Sequence, residues 1–216
     1  MKTDLQLKMD VEAELEWEPS VNAAQVGVVV RDGVVTLSGH LDTYAQKHAA
    51  ERAAQRVQGV KAVAVELDVK LAPGHVRSDA DIARAVESAL EWNSLVPDEK
   101  IRVMVEKGWV TLSGEVDWDY QRRHAVSSIR PLTGVVGVTD NMTLKPQVTP
   151  ANITQRIQSA LQRQAEREAR DIRVSVSGHT VTLEGQVHSW PEAVAAQGAA
   201  WSAPGITSVV NHLRVA

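Results

Sequence analysis

Apolar residues along the chain switch between two periods. Leu7, Val11 and Leu15 recur every four residues, as do Ile82, Val86, Leu90 and Ile153, Ile157, Leu161. That spacing lays one buried stripe along a helix. Thr3, Ser78 and Thr149 precede these stripes and suit N-caps, because a hydroxyl can accept an orphan backbone N–H. Gln6 and Asp81 follow three residues on, as in a capping box, and Pro150 is expected at the first helical position. The period then becomes two: Val26, Val28, Val30; Ile101, Val103, Val105; Ile172, Val174, Val176. Partner strands alternate as Val35, Leu37, Gly39, Leu41 and their equivalents, so one face is buried. Between them stand Asp32-Gly33, Lys107-Gly108 and Gly178-His179. Asp-Gly favours a type I′ turn, and Gly in the first place a type II′ turn. A two-residue loop sets Val30 opposite Val35 and Val28 opposite Leu37, all facing one side.

A second helix follows, opened by Asp42-Thr43, Asp117-Trp118 and Ser189-Trp190-Pro191-Glu192. In the first copy it carries Ala45, Ala49, Ala50, Ala53 and Ala54, small enough to pack close to a sheet. Gly59, Gly134 and Gly205 are expected to end it as C′ glycines. A last strand holds Val63, Leu67, Val69, matched by Val138, Met142, Leu144 and Val209, Leu213, Val215. The link into it should cross over right-handed.

These blocks are one unit used three times. Val35-Thr36-Leu37-Ser38-Gly39 returns as Val110-Thr111-Leu112-Ser113-Gly114 and as Val181-Thr182-Leu183-Glu184-Gly185. The offsets are 75 and then 71 residues, and Leu15, Leu90, Leu161 and Gly59, Gly134, Gly205 keep the same step. The expected fold class is α+β: three tandem α-β-β-α-β modules, each a three-stranded sheet with two helices on one face. The modules span 1–70, 78–145 and 149–216. Their linkers are Leu71 to Arg77 and Lys145 to Val148, where Pro and Gly break both periods.

Composition excludes several functions. The absence of cysteine removes disulfides and thiolate chemistry. A formal net charge of −4 is too mild to suggest general nucleic-acid binding, and no nucleic acid is expected as a partner. No apolar run reaches signal-peptide or membrane-spanning length, so the expected location is cytoplasmic, or periplasmic if exported by another route.

No catalytic constellation stands out. The histidines, His40, His48, His75, His124, His179, His188 and His212, form no HExxH and do not recur at one position, so no metal site is expected. Ser38-Gly39 and Ser113-Gly114 are structural, since the third copy has Glu184 there. Asp98-Glu99 reads as solvated loop charge. No enzyme activity and no cofactor are expected.

Binding features are more visible. Trp118, Tyr120, Arg122 and Arg123 open the second helix of the middle copy. Aromatics beside arginines suit a membrane interface or a protein contact. The other reading is that an aromatic packs on a neighbouring copy while the arginines are solvated. Trp109, just past the hairpin turn, is either an exposed anchor or an inter-domain filler. Trp17 and Trp92, at equivalent positions, are expected to cap the edges of their cores. The third copy carries Arg156, Arg163, Arg167, Arg170 and Arg173 along its first helix, interleaved with Glu166 and Glu168. Residues 147–216 hold six basic and five acidic side chains, against eight and eleven in residues 1–70. Attraction to anionic headgroups should therefore be strongest in the third copy.

The ordered set Val-x-Val, turn glycine, Val-Thr-Leu-x-Gly, alanine-rich helix, Gly-Val and Val-rich last strand resembles the BON domain of bacterial osmotically inducible and nodulation proteins. The third copy departs most, with His179 at the hairpin glycine and Gly205-Ile206 for Gly-Val; Gly178 supplies the turn instead. The resemblance implies non-enzymatic modules that attach to phospholipid membranes or bind partner proteins, often under osmotic stress. The leading expectation is thus phospholipid binding through surface aromatics and arginines, and the alternative is a protein-interaction or chaperone-like scaffold acting by avidity. The shared glycines Gly33, Gly108, Gly178, Gly59, Gly134 and Gly205 serve turns, not chemistry.

Overall fold

The structure is a computed structural model; it describes residues 2–146, 150–164 and 172–215. In the first module α1 (Asp4–Trp17) leads to a hairpin of β1 (Val26–Arg31) and β2 (Val34–Leu41), then α2 (Tyr44–Arg56) and β3 (Ala62–Val69). The second repeats this as α3 (Asp79–Glu91), β4 (Ile101–Glu106), β5 (Trp109–Val116), α4 (Asp119–Ile129) and β6 (Gly137–Leu144). The third has α5 (Ile153–Gln164), β7 (Ile172–Ser177), β8 (Thr180–Val187), α6 (Trp190–Trp201) and β9 (Ser208–Val215). Each sheet has three strands, with the second in the centre, antiparallel to the first and parallel to the third. Val28 pairs with Leu37 and Val30 with Val35, the register that the turn chemistry required.

Three separate cores form. Leu7, Val11 and Leu15 pack on Val35, Leu37, Leu41 and the buried alanines Ala50, Ala53 and Ala54. Ile82, Val86, Leu90 and Ile153, Ile157, Leu161 do the same in the other modules. Asp32 and Gly33, like Lys107 and Gly108, both have positive φ, as a type I′ turn demands. Gly178 alone is positive in the third hairpin, the pattern of type II′. The repeated Thr-Leu-x-Gly glycine has a different reason. A Cβ on Gly39 would lie 2.1 Å from the Gln25 carbonyl oxygen, and one on Gly114 2.1 Å from that of Lys100. No side chain fits there.

Thr3 caps α1 in a full capping box with Gln6, and Ser78 accepts the Asp81 N–H at 3.2 Å. Thr149 lies outside the described residues. Three expectations are corrected. Pro150 is not the first helical residue, because α5 starts at Ile153, whose N–H donates to the Pro150 carbonyl at 3.0 Å. Asp4 and Asp79 hold the equivalent place and begin their helices while binding the hairpin; proline at this position has no such side chain. Gly59, Gly134 and Gly205 are not C′ residues either. They sit third in one further turn, closed by Val60 N–H to Val57 O, Val135 N–H to Leu132 O and Ile206 N–H to Ala203 O. A left-handed third residue marks a type II turn, which explains the Pro204-Gly205 pair. Arg173 belongs to β7 and not to the helix; Arg167, Arg170, Glu166 and Glu168 lie outside the described residues.

Candidate docking surface

The repeat offsets make Tyr44, Asp119 and Trp190 equivalent, and each is the first residue of its module's second helix. Each sits at a junction between modules. Tyr44 packs against the core of the second module. The Trp190 indole N–H donates to the Val60 carbonyl of the first module at 3.0 Å. In the middle module Asp119 is 2% exposed and pairs with Arg122 (2.6 Å) and Arg123 (2.8 Å). Arg122 then lies 5.1 Å from the ring centre of Trp201, which packs against the cores of the second and third modules. First touches second, second touches third, and third touches first.

This arrangement divides the predicted cluster. Arg122 is committed to Asp119, to Asp140 at 3.4 Å and to the Trp201 face, so an arginine of this cluster reaches across the junction. Burial pushes the Asp140 carboxyl up, against the opposing bond from Met142 N–H and the charge of Arg122. Trp118 is half-buried, and the Gln121 side chain accepts its backbone N–H at 3.0 Å. Tyr120 and Arg123 remain exposed, Tyr120 edge-on to His124 at 6.3 Å. Trp109 is on the sheet face away from the helices. Its ring rests on Gly137, where a Cβ would come within 2.5 Å, and its N–H donates to Thr139 Oγ1 at 2.8 Å. With Met104, Thr111 and Val136 it lines a shallow groove of about 310 Å³.

Trp17 and Trp92 overturn their expectation. They are 83% and 86% exposed and cap nothing. The reason is helical geometry: each lies two residues past the last buried leucine, some 200° around the helix. Trp17 also completes a second apolar stripe on α1, with Leu5 (69% exposed), Met9 (61%) and exposed Ala13. The matching positions are Ala80, Arg84, Ser88 on α3 and Ala151, Gln155, Ser159, Arg163 in the third module, so the full stripe is peculiar to α1. Its borders are acidic: Asp10, Glu12, Glu14, Glu16 and Glu18 against Lys2 and Lys8. Lys2 pairs with Asp10 at 2.7 Å, Lys8 with Glu12 at 3.5 Å, and Arg56 with Glu14 and Glu18. The Ser20 hydroxyl and then Arg56 hold the Glu18 carboxyl below its ordinary range.

Among the described residues no group of His, Asp and Glu could hold a metal ion, and no helix is long and apolar enough to cross a membrane. The fold thus defines a tandem α-β-β-α-β repeat protein with its unpartnered aromatics at helix ends. The BON domain matches residues 3–70, 78–146 and 149–216, and the chain belongs to the BON-domain family. It is 30% identical over 146 residues to osmotically-inducible protein Y of Escherichia coli K12, covering 66% of this chain and 73% of that protein. Two structures of CdsD, a structural protein of the type III secretion system of Chlamydia trachomatis, also align. One, of its C-terminal domain, covers 100% of both chains at 14% identity with a TM-score of 0.27. The other covers 95% of this chain and 90% of that one at 14% identity and 0.26. Likenesses this distant bear on nothing further.

Proposed function

We propose that this chain is a non-enzymatic binding protein with a bacterial stress or envelope-related role, docking on phospholipid membrane surfaces through the outer ends of its first helices. The observation that carries this reading is the exposure of Trp17 and Trp92, at 83% and 86%. Amphipathic indoles left in water suit the headgroup level of a bilayer. Trp17 and Trp92 hold equivalent positions in the first two modules, so the two act as like contacts. The likeness to osmotically-inducible protein Y supports the stress-related role. Export to the periplasm fits this reading.

Because α1 is acidic, contact there is driven by apolar insertion and not by anionic headgroups. Co-sedimentation should show clear binding to neutral phosphatidylcholine vesicles, with no requirement for an anionic lipid such as phosphatidylglycerol. Trp17→Ala/Trp92→Ala should lose most of it. Absence of binding to vesicles of either lipid overturns the reading.

A second reading draws on the acidic borders of the α1 stripe, which fit a protein partner with a basic-rimmed apolar groove. Avidity from three equal sites is not favoured, since Trp17, Trp92 and Arg163 have diverged. A partner that co-purifies regardless of lipid, and is lost on Met9→Glu, would support it.

A further inference from the structure

The third module departs from the first at a place the shared fold does not dictate. In the first module Arg56, at the end of α2, reaches Glu14 at 2.9 Å and Glu18 at 3.1 Å. The repeat puts Ala160 in place of Glu14 and Ser202 in place of Arg56. Neither can form that bridge. Between α5 and the turn after α6 a groove of about 580 Å³ opens instead, within the size range of ligand sites. Its floor is Ile157, Ala160, Ala203 and Pro204. Arg156 and Arg163 line its rim, seven residues apart on one helix face, or about 10 Å along the axis. Neither guanidinium has an ion pair or hydrogen bond among the described residues. The first module has Asp10 and Trp17 at these two positions, so the change swaps an acid and an aromatic for two cations.

We infer that this groove binds a small anionic amphiphile, with a phosphate or carboxylate on Arg156 and Arg163 and a short apolar body on the floor. The guanidinium fork matches the oxygens of either anion. Two cations with no ion pair among the described residues, set at one groove, raise the local concentration of anions. An inorganic ion leaves the apolar floor in water, and a neutral lipid leaves the arginines unpaired. Only a ligand with both parts uses the whole site. This assignment does not rest on membrane docking through Trp17 and Trp92.

Titration calorimetry of the full chain with dihexanoyl phosphatidic acid, kept below its micelle concentration, tests it. One site per chain is expected. Arg156→Gln/Arg163→Gln changes only exposed side chains and should weaken binding at least tenfold. Ala160→Glu/Ser202→Arg rebuilds the first module's ion pair across the groove and should weaken it as much. Dihexanoyl phosphatidylcholine should bind at least tenfold more weakly than the acid. Unchanged affinity in both variants, no binding by the parent chain, or inorganic phosphate binding as tightly as the lipid would each overturn the site. Vesicle binding that survives while the monomeric lipid fails to bind overturns the groove alone and leaves membrane docking standing.

Discussion

Asp4 and Asp79 tie the start of a helix to a distant hairpin. Asp4 accepts the Asp32 and Gly33 N–H groups at 2.8 and 3.1 Å, and Asp79 accepts those of Lys107 and Gly108, both at 2.8 Å. Each carboxylate thus serves turn donors that the hairpin itself cannot satisfy, and sits in the first turn where the helix dipole favours it. Asp79→Ala should destabilise the protein by about 1–2 kcal/mol in urea denaturation, since two charge-assisted bonds go. The third module has Pro150 there, and its turn is tied otherwise, with His179 Nδ1 2.7 Å from the Gly205 carbonyl. Asp140 behaves in the opposite sense. Its folded-state carboxyl titrates above the ordinary value, so its ionised form weakens folding, and the stability it supports is lost as pH rises through that raised value. Asp140→Asn should therefore raise the melting temperature at pH 7 and have no such effect at pH 3.

At the scale of the element, α1 shows how far periodicity carries. Leu7, Val11 and Leu15 face the core, and Leu5, Met9, Ala13 and Trp17 face water. Both stripes have the same four-residue spacing. Chemical character alone does not say which one the sheet covers, although the repeat does, since only the first recurs in α3 and α5. The two kinds of position should respond differently. Leu15→Ala should destabilise by about 2–5 kcal/mol, as emptied core sites do. Trp17→Ala should leave the melting curve within about 0.5 kcal/mol of the parent. Strand register and hairpin turns were legible because turn chemistry and alternation agree. The starts and ends of helices were less so: Pro150 and the three turn glycines signal a break, but the break falls one to three residues away from where the motif alone would put it.

Across the whole molecule the three modules are joined by the starts of their second helices. Tyr44, Arg122 and Trp190 each reach the neighbouring module, and Trp201 is shared by two cores. Trp201→Ala should loosen the third module and split a single thermal transition into two, measured by calorimetry. Limited proteolysis should then cut first in the third module. The sequence by itself determined the module: period, turns and caps act over a few residues, and repetition states them three times. It also determined that thiolate and disulfide chemistry is missing, since the chain has no cysteine. Which side chains were left for a ligand was decided only by tertiary structure. Arg122 looks as free as Arg123 along the chain, and Trp17 looks as buried as any core aromatic. The packing of one module on the next engages the first and leaves it only 25% exposed, while the angular position of the second leaves it in solvent. Those outcomes depend on contacts between residues tens to more than a hundred positions apart, and local patterns carry no record of such distances.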